Sequence, residues 1–446
     1  MNAIVPNISH LELDALNPGQ QDAVQQVFQF LFSDEREFSV TGPAGTGKTH
    51  LMKFIMKHTL REYQNACKLL GIPWIDYEIA LTATTNKATE VLATSTGFPT
   101  NTVHAFMNLR VKDNYKTGGS EIIPKNTWKV HTKTLLFVDE ASMVDQELHN
   151  YLIGGTDKTC KIIYLGDRSQ LAPVFEKISP VYANSKRTAV LSQPMRNAGQ
   201  MALMDLCDQL RETVETLKFN PILEVPGVID FVDATGAYDF IKETFIEENP
   251  DARILVYSNV RVHDYNGYIR ELRGHPDHFV PGETLISNSA FTVPSSKPPA
   301  TFQIESLVQI EELNGIREIT PIDIHDVQSN IEIYRARVSP DRGFTSHKVM
   351  IPADPERFKQ LMGHYFRIKQ FDNYFYMKNT FPDLRPKDAA TVYKAQGSTY
   401  HTVFLDLTNI GSCTKVEQLS RMLYVGASRA TTRLVLYGEL PKRLFK

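Results

Sequence analysis

Residues 37–60 read EFSVTGPAGTGKTHLMKFIMKHTL and join a strand, a glycine loop and a helix. Phe38 lies in a strand-like run, and Leu51 and Phe54 begin an apolar pattern at helical spacing. Glycines in the loop at 42–49 permit a tight turn whose backbone N–H groups point at phosphate oxygens. The stretch therefore predicts an α/β fold with a phosphate-binding loop.

This loop contains the residue types that bind a nucleoside triphosphate. Lys48 is expected to reach the β- and γ-phosphates, and Thr49 to hold Mg²⁺ through its hydroxyl. ATP and Mg²⁺ are therefore the predicted cofactors. The predicted cofactor-binding residues of the loop are Gly42, Pro43, Ala44, Gly45, Thr46, Gly47, Lys48, Thr49 and His50.

Two later strands end in polar residues that suit hydrolysis. TLLFVDEAS at 134–142 is typical of a buried parallel strand with acids at its C-terminal end, where α/β sheets bind ligands. Asp139 is expected to ligate Mg²⁺ through water, and Glu140 to orient and deprotonate the attacking water. KIIYLGDRSQLAPV at 161–174 carries Gln170, whose amide is expected to contact the γ-phosphate.

The segment YVGASRA at 424–430 places Arg429 far from the loop in the sequence. We interpret it as a strand–turn–helix segment of a second lobe that closes on the nucleotide. Phosphoryl transfer spreads negative charge over oxygens, which a guanidinium group stabilises. Lys48 and Arg429 together thus predict a two-lobed motor.

Length and composition limit the alternatives. A chain of 446 residues predicts two to four domains. Its four scattered cysteines suggest neither a disulfide framework nor a zinc site, and they fit a reducing cytoplasm. Neither a signal peptide nor an apolar run long enough to span a bilayer is expected. With a net charge of −3, any binding of nucleic acid should use a local groove.

Further motifs stand in order along the chain. They are LNPGQQDAV (16–24), LTATTNKATEVL (81–92), NTVHAF (101–106), LSQPMRN (191–197), ILVYSNVRVHDYN (254–266), ATVYKAQGST (390–399) and LYVGASRA (423–430). With the phosphate loop and the two acidic or polar strand ends, this set resembles the superfamily 1B helicases, the RecD- and Dda-like branch. Two positions depart from the family pattern: Tyr393 stands where His is common, and Ser428 where Thr is common.

The resemblance implies two RecA-like motor domains and further site residues. Gln20 is expected to read the adenine and Gly397 to join the nucleotide site. Arg196 and Arg429 correspond to arginine fingers. The predicted catalytic set is therefore Lys48, Glu140, Gln170, Arg196 and Arg429.

Two interruptions of the motor domains are predicted. The first, 108–133, reads as a hairpin around Gly118, and residues 110–133 hold six Lys or Arg and two acids. It suits a strand-separating pin (1B) whose Trp128 stacks on a base pair, although Trp128 packing onto the first lobe is an equal alternative. The second, 276–384, predicts a small SH3-like β domain (2B). The motor domains would comprise 1–107 with 134–197 (1A) and 198–275 with 385–446 (2A).

DNA contacts are expected where strands run into loops. Hydroxyl and amide groups there can hold phosphates without reading bases, although Thr and Asn also commonly cap helices. Residues 335–369 carry eight Lys or Arg and three acids, which suits either a phosphate-facing or a solvated surface. The predicted DNA-binding residues are Thr84, Asn86, Thr102, His104, Trp128, Ser258, Asn259, Lys394 and Ser398.

The resemblance implies an ATP-dependent DNA helicase that moves 5′-to-3′ on single-stranded DNA and unwinds duplexes in phage replication or recombination. The alternative is an ATP-driven translocase that displaces proteins or remodels forks with little unwinding; a regulatory ATPase or nuclease-complex subunit is a third class. The expected partners are single-stranded DNA and its junctions with duplex, and a single-strand DNA-binding protein. A monomer in the host bacterial cytoplasm is expected.

Overall fold

The computed structural model describes residues 10–173, 176–184, 186–193, 201–293, 300–319, 330–340 and 345–445. The first lobe is built from helices and strands that alternate along the chain. Its elements are α1 (Pro18–Leu31), β1 (Glu37–Thr41), α2 (Lys48–Phe54), α3 (Leu60–Leu70), β2 (Glu78–Ala83), α4 (Asn86–Thr96), β3 (Thr100–Thr102), α5 (Val103–Phe106), β4 (Leu109–Asp113), β5 (Ser120–Pro124), β6 (Thr134–Asp139), α6 (Gln146–Gly154), β7 (Lys161–Gly166), α7 (Pro180–Asn184) and β8 (Thr188–Val190).

Six of these strands form one parallel sheet in the order β3-β2-β6-β7-β1-β8. Apolar side chains cover both of its faces, one cluster including α1 to α3 and the other α6. Strands buried on both faces explain the continuous apolar runs of β6 and β7. Because parallel strands end at one edge, the phosphate loop, Asp139 and Gln170 lie along that edge.

The remaining two strands of this lobe, β4 and β5, form an antiparallel hairpin outside the main sheet. Its turn contains Gly118 with a φ of +74°, a value that glycine adopts without strain.

The second lobe begins with α8 (Met201–Thr216), β9 (Ile229–Val232), α9 (Ala234–Phe245), β10 (Ala252–Val256) and α10 (Asn259–Leu272). An inserted segment follows. It contains β11 (Thr284–Ser287), β12 (Phe291–Val293), β13 (Ala300–Phe302), β14 (Leu307–Ile319), β15 (Ile331–Pro340), β16 (His347–Pro352), α11 (Pro355–Arg367), α12 (Phe371–Thr380) and β17 (Leu384–Pro386). Five of its strands form an antiparallel sheet, in the order β16-β15-β14-β11-β17.

The chain then completes the second parallel sheet with β18 (Ala389–Thr391), β19 (Tyr400–Asp406), α13 (Leu407–Gly411), α14 (Val416–Ser428) and β20 (Ala430–Tyr437). The strand order is β18-β10-β19-β20-β9. Two parallel sheets, each between layers of helix, confirm the predicted α/β fold. The SH3-like nature of the insertion and the exact domain limits stay predictions.

The expected setting of Arg429 is wrong. Residues 416–428 form one helix, and Arg429 links it directly to β20, so the order is helix to strand. Among the described residues, no helix combines the length and apolar character that crossing a membrane requires.

Candidate nucleotide and nucleic-acid sites

The phosphate loop joins β1 to α2. Gly45 and Gly47 have φ values of +83° and +79°, which explains why the turn needs glycine at both places. A Cβ added to Gly42 would lie 2.5 Å from the carbonyl oxygen of Leu191, so that position accepts no side chain. Around them, Pro43 accepts a hydrogen bond of 2.9 Å from the Thr46 hydroxyl, which closes the loop.

The charged and hydroxyl groups of the loop follow at the start of α2. Lys48 Nζ donates to the carbonyl oxygens of Gly42 (2.7 Å) and Pro43 (2.9 Å). Both acceptors are neutral, so the lysine charge stays available to a phosphate. Thr49 is half-buried in the first helical turn, Ala44 is half-buried in the loop, and His50 is exposed.

Two carboxylates follow β6. Glu140 has a φ of +52° and a ψ of 40°, a left-handed conformation that is strained for a residue with a side chain. Its Oε2 is buried without a hydrogen-bond partner among the described residues. Burial, and then the neighbouring Glu140 charge, raise the pKa of Asp139 to about 6.

This carboxylate pair fits a divalent cation. A cation beside Asp139 would offset both the repulsion and the cost of burial. Thr49, in the first turn of α2, follows the phosphate loop at the same edge of the sheet. Mg²⁺ prefers oxygen ligands and keeps several waters, so it needs few protein groups. In the described part of the chain, no cluster of three or more His, Cys, Asp or Glu residues could hold a metal by protein ligands alone.

Gln170 is buried at the end of β7 and is bound by the second lobe. Its Oε1 accepts a hydrogen bond of 3.2 Å from Gln396 Nε2, which also donates to the Ser142 hydroxyl at 3.1 Å. The backbone oxygen of Gln170 accepts from Arg421 Nη1 at 2.5 Å. The predicted γ-phosphate contact is thus in the cleft between the lobes.

Arg429 is buried within the second lobe. Its Nη1 donates to the carbonyl oxygen of Ser398 at 3.1 Å and its Nη2 to the Ser428 hydroxyl at 2.9 Å. Gly397, with a φ of +78°, precedes Ser398. Arg196, the other predicted finger, lies outside the described residues.

Two predicted contacts differ from expectation. Ser398 is buried and its carbonyl oxygen is bound by Arg429, so its side chain does not lie on a solvent-exposed surface. Gln20 is fully buried, and its amide holds the chain: Nε2 donates to the Thr46 carbonyl at 3.1 Å and Oε1 accepts from the Asn17 N–H at 3.2 Å. An adenine-reading role would therefore require Gln20 to leave these partners.

The predicted DNA contacts of the first lobe lie at the C-terminal ends of β2 and β3. Thr84 donates to the Glu140 carbonyl at 3.4 Å, and the exposed Asn86 donates to Gln303 Oε1 of the insertion at 3.5 Å. The Thr102 hydroxyl caps α5 by accepting from a backbone N–H. His104 is half-buried, and burial lowers its pKa.

The predicted contacts of the second lobe lie at the end of β10 and after β18. The Ser258 hydroxyl caps α10, and Asn259 beside it is exposed. Lys394 Nζ donates to Asn288 Oδ1 and forms an ion pair of 2.9 Å with Glu305 Oε1. A carboxylate therefore already lies where a DNA phosphate was expected.

The hairpin is attached to the insertion of the other lobe. Tyr115 contacts the ring of Phe375 on α12, with centroids 4.9 Å apart. Asp113 accepts a hydrogen bond of 2.9 Å from Asn379 and lies 3.6 Å from Lys378 Nζ. The aromatic segment 371–381 thus both packs its own core and contacts the hairpin, a choice that the sequence left open.

Trp128 lies outside the two strands of the hairpin. It is half-buried against the apolar cluster on one face of the first sheet, and its indole nitrogen is buried. The alternative in which this ring packs onto the first lobe therefore describes the structure, and the exposed aromatic of the hairpin is Tyr115, at 52%.

Sequence reasoning missed four polar residues that connect distant elements, three of them across the lobes. Gln396 and Arg421 bind Gln170, Tyr424 binds Asp167, and Glu305 pairs with Lys394. The spacing of Arg421 and Tyr424, three residues apart on one helix face, was the available signal, but it did not reveal the partner.

Similarity to known proteins divides the chain at about the same place as its two lobes. A family model described as an AAA domain matches residues 15–222, and one described as a UvrD-like helicase C-terminal domain matches residues 388–437. The ATP-dependent DNA helicase Dda of Enterobacteria phage T4 is 23% identical over 94% of this chain and 98% of its own.

Solved structures similar to this chain include Pif1 helicases. Bacteroides Pif1 with ADP-AlF3 and ssDNA is 13% identical with a TM-score of 0.48, covering 95% of this chain and 93% of that one. Candida albicans Pif1 is 16% identical with a TM-score of 0.41, covering 96% and 98%. The ordered motifs, their sites on two parallel sheets and the full-length similarity to Dda confirm that this chain resembles the Dda-like helicases of superfamily 1B.

Proposed function

We propose that this enzyme is an ATP-dependent DNA helicase that moves 5′-to-3′ along single-stranded DNA and unwinds duplex DNA. Lys48 would bind the β- and γ-phosphates, Thr49 and Asp139 would hold Mg²⁺, and Glu140 would deprotonate water. Arg429 would stabilise the charge that develops on the γ-phosphate once the lobes close. The buried oxygen of Glu140 that lacks a partner supports its role as a base.

The observation that carries the unwinding claim is the attachment of the hairpin β4–β5 to α12. A hairpin that parts base pairs must resist the force of the advancing duplex. The ring contact of Tyr115 and the polar contacts of Asp113 hold it between the two lobes. A translocase that only displaces proteins has no need of such a support.

The DNA path is proposed to cross Thr84, Asn86, Thr102 and His104 in the first lobe. It would continue over Ser258, Asn259 and Lys394 in the second. Contacts of this kind to phosphates do not read bases, so little sequence preference is expected. Ser398 and Trp128 are left out because both are withdrawn from the surface.

The similarity to a phage helicase supports a role in phage replication or recombination within the host bacterial cytoplasm. A single-strand DNA-binding protein as partner and a monomeric state stay predictions.

Unwinding of duplexes with a 5′ tail or a 3′ tail tests the proposal, with Lys48→Ala as the inactive control. Faster unwinding from the 5′ tail is expected. Preference for the 3′ tail would contradict the direction. ATP hydrolysis stimulated by single-stranded DNA without any unwinding would favour the alternative translocase, and hydrolysis that DNA does not stimulate would exclude a DNA motor.

A further inference from the structure

The turn after β7 is held from outside its own lobe. Arg421 Nη1 on α14 donates to the carbonyl oxygens of Arg168 at 2.6 Å and Gln170 at 2.5 Å. One turn later on the same helix, the Tyr424 hydroxyl donates to the Asp167 carboxylate. Two side chains of α14 therefore grip both ends of the four-residue turn 167–170.

The contact between Tyr424 and Asp167 is protected from solvent, and that of Arg421 with Gln170 is partly buried. Asp167 is 0% and Tyr424 is 1% exposed, so water cannot readily replace the bond between them. The Arg421 guanidinium donates to neutral carbonyls, and the nearby Asp167 carboxylate supplies the opposite charge. A buried charge needs both hydrogen bonds and a counter-charge, and this arrangement supplies them.

The turn is also attached to the phosphate loop. The backbone N–H of Arg168 donates to the Thr41 hydroxyl at 3.1 Å, and Thr41 is the last residue before the loop. On the other side, Gln396 binds the side chain of Gln170. The turn thus connects the strand that leads into the loop with two elements of the second lobe.

Helix α14 carries both this grip and the predicted arginine finger. Arg421, Tyr424 and Ser428 are spaced i, i+3 and i+7, which places them on one helix face. Ser428 accepts a hydrogen bond from Arg429, the residue at the end of the helix. A helix of this length moves as a unit, so a shift of Arg429 also pulls on the turn.

We propose that Arg421 and Tyr424 are positioning residues that couple Gln170 to Arg429. When DNA bound across the two lobes moves α14, the hydrogen bonds of Arg421 and Tyr424 move Gln170 as well. Gln170 and Arg429 then reach the γ-phosphate together. Neither residue is assigned a contact with the nucleotide, since the polar atoms of both bind the turn. The proposal rests on the proposed function, since it assigns how DNA binding reaches the site of hydrolysis.

Arg421→Met and Tyr424→Phe test the coupling. The measured quantity is the stimulation factor, the ratio of ATPase kcat with saturating oligo(dT) to kcat without it. We expect the factor to fall about tenfold in each variant, within the range usual for coupling between two sites. The KM for ATP should change less than about threefold, because the phosphate loop is intact. Arg421→Lys keeps the charge without the fork and should give an intermediate factor.

Arg433→Met is the matched control, since Arg433 forms an ion pair of 2.6 Å with Asp230 inside the second lobe. It should keep the wild-type factor. A wild-type factor in both Arg421→Met and Arg421→Lys would overturn the proposal, even if both absolute rates fell. A wild-type enzyme that single-stranded DNA does not stimulate would instead overturn the proposed function.

Discussion

The attachment of the hairpin to α12 can be broken at Gly118. A Cβ added there would lie 2.3 Å from Phe371 Cε1 and 2.7 Å from Phe366 Cε2. The left-handed backbone alone costs an L-residue about 1–2 kcal/mol. Forcing two packed rings aside costs about 1–3 kcal/mol more. Gly118→Ala should therefore destabilise the turn by the backbone cost and weaken the docking of the hairpin by the cost of the clash, about 1–3 kcal/mol.

A clash of about 2 kcal/mol, the middle of that range, shifts the docking equilibrium by more than tenfold, since about 1.4 kcal/mol is one decade. We expect the unwinding rate of a 5′-tailed duplex to fall at least tenfold. Hydrolysis stimulated by single-stranded DNA should stay within about twofold, because the turn contains none of the nucleotide-site residues. Stopped-flow unwinding and a coupled ATPase assay measure the two rates on the same preparation.

Gly97→Ala provides the control for backbone strain. Gly97 has the same φ of +74°, but nothing lies within 4 Å of an added Cβ. It therefore incurs the backbone cost without the clash, and it should unwind DNA like the wild type. Unwinding by Gly118→Ala at the rate of Gly97→Ala would refute the reasoning, because the ring contact would then contribute nothing.

Three further outcomes are expected at separate sites. Glu140→Gln should lower the ATPase kcat by at least about 100-fold by removing the general base, while a fluorescent ATP analogue still binds; hydrolysis at the wild-type rate would contradict that role. Glu305→Gln removes the carboxylate that pairs with Lys394 and so frees this lysine for a DNA phosphate. The Kd for single-stranded DNA should fall about two- to fivefold in low-salt fluorescence anisotropy. Weaker binding would contradict the idea that carboxylate and phosphate compete for Lys394. Burial raises the pKa of the Glu37 carboxyl, but the hydrogen bond and charge of His149 outweigh it and leave this pKa below 4.5. A carboxyl group whose pKa is lowered by folding stabilises the fold at pH values above its unfolded-state pKa, and this stabilisation is lost as the pH falls. His149→Ala should therefore shift acid unfolding, followed by circular dichroism, to higher pH. An unchanged midpoint would contradict this account.

The phosphate loop and the acidic strand end were predictable because their chemistry is local. A tight turn needs glycine, and the lysine and threonine follow at a fixed spacing, so eight consecutive residues carry the signal. The hairpin was predictable for the same reason, since Gly118 marks a turn between two short extended runs.

The setting of Arg429 was not predictable in this way. The apolar run that includes Tyr424 and Val425 looks like a strand, and Gly426 looks like the turn after it. In the structure Gly426 lies inside α14, where an added Cβ would be 2.6 Å from Leu405 Cδ1. Glycine is there to let the helix approach β19 closely, and that reason involves a residue distant in sequence.

The surroundings of Gln20 and Ser398 were unpredictable for a related reason. A motif identifies which residues gather at a nucleotide, but burial decides which of their atoms face it. The Gln20 amide is used by the backbone of the phosphate loop, and the Ser398 carbonyl by Arg429. Their partners lie 26 and 31 positions away, beyond the reach of any local pattern.

The contacts across the two lobes include two groups on different elements. In one, α14 grips the turn 167–170 beside the nucleotide site; in the other, α12 holds the hairpin β4–β5. Each group joins one part of the first lobe to one part of the second, and they share no residue. Movement between the lobes must therefore act on both at once, which is how hydrolysis at one edge of the sheet can be linked to strand separation at a distant hairpin. Because the groups are separate, unwinding can be lost while hydrolysis persists, and DNA stimulation can be lost while the hairpin stays docked.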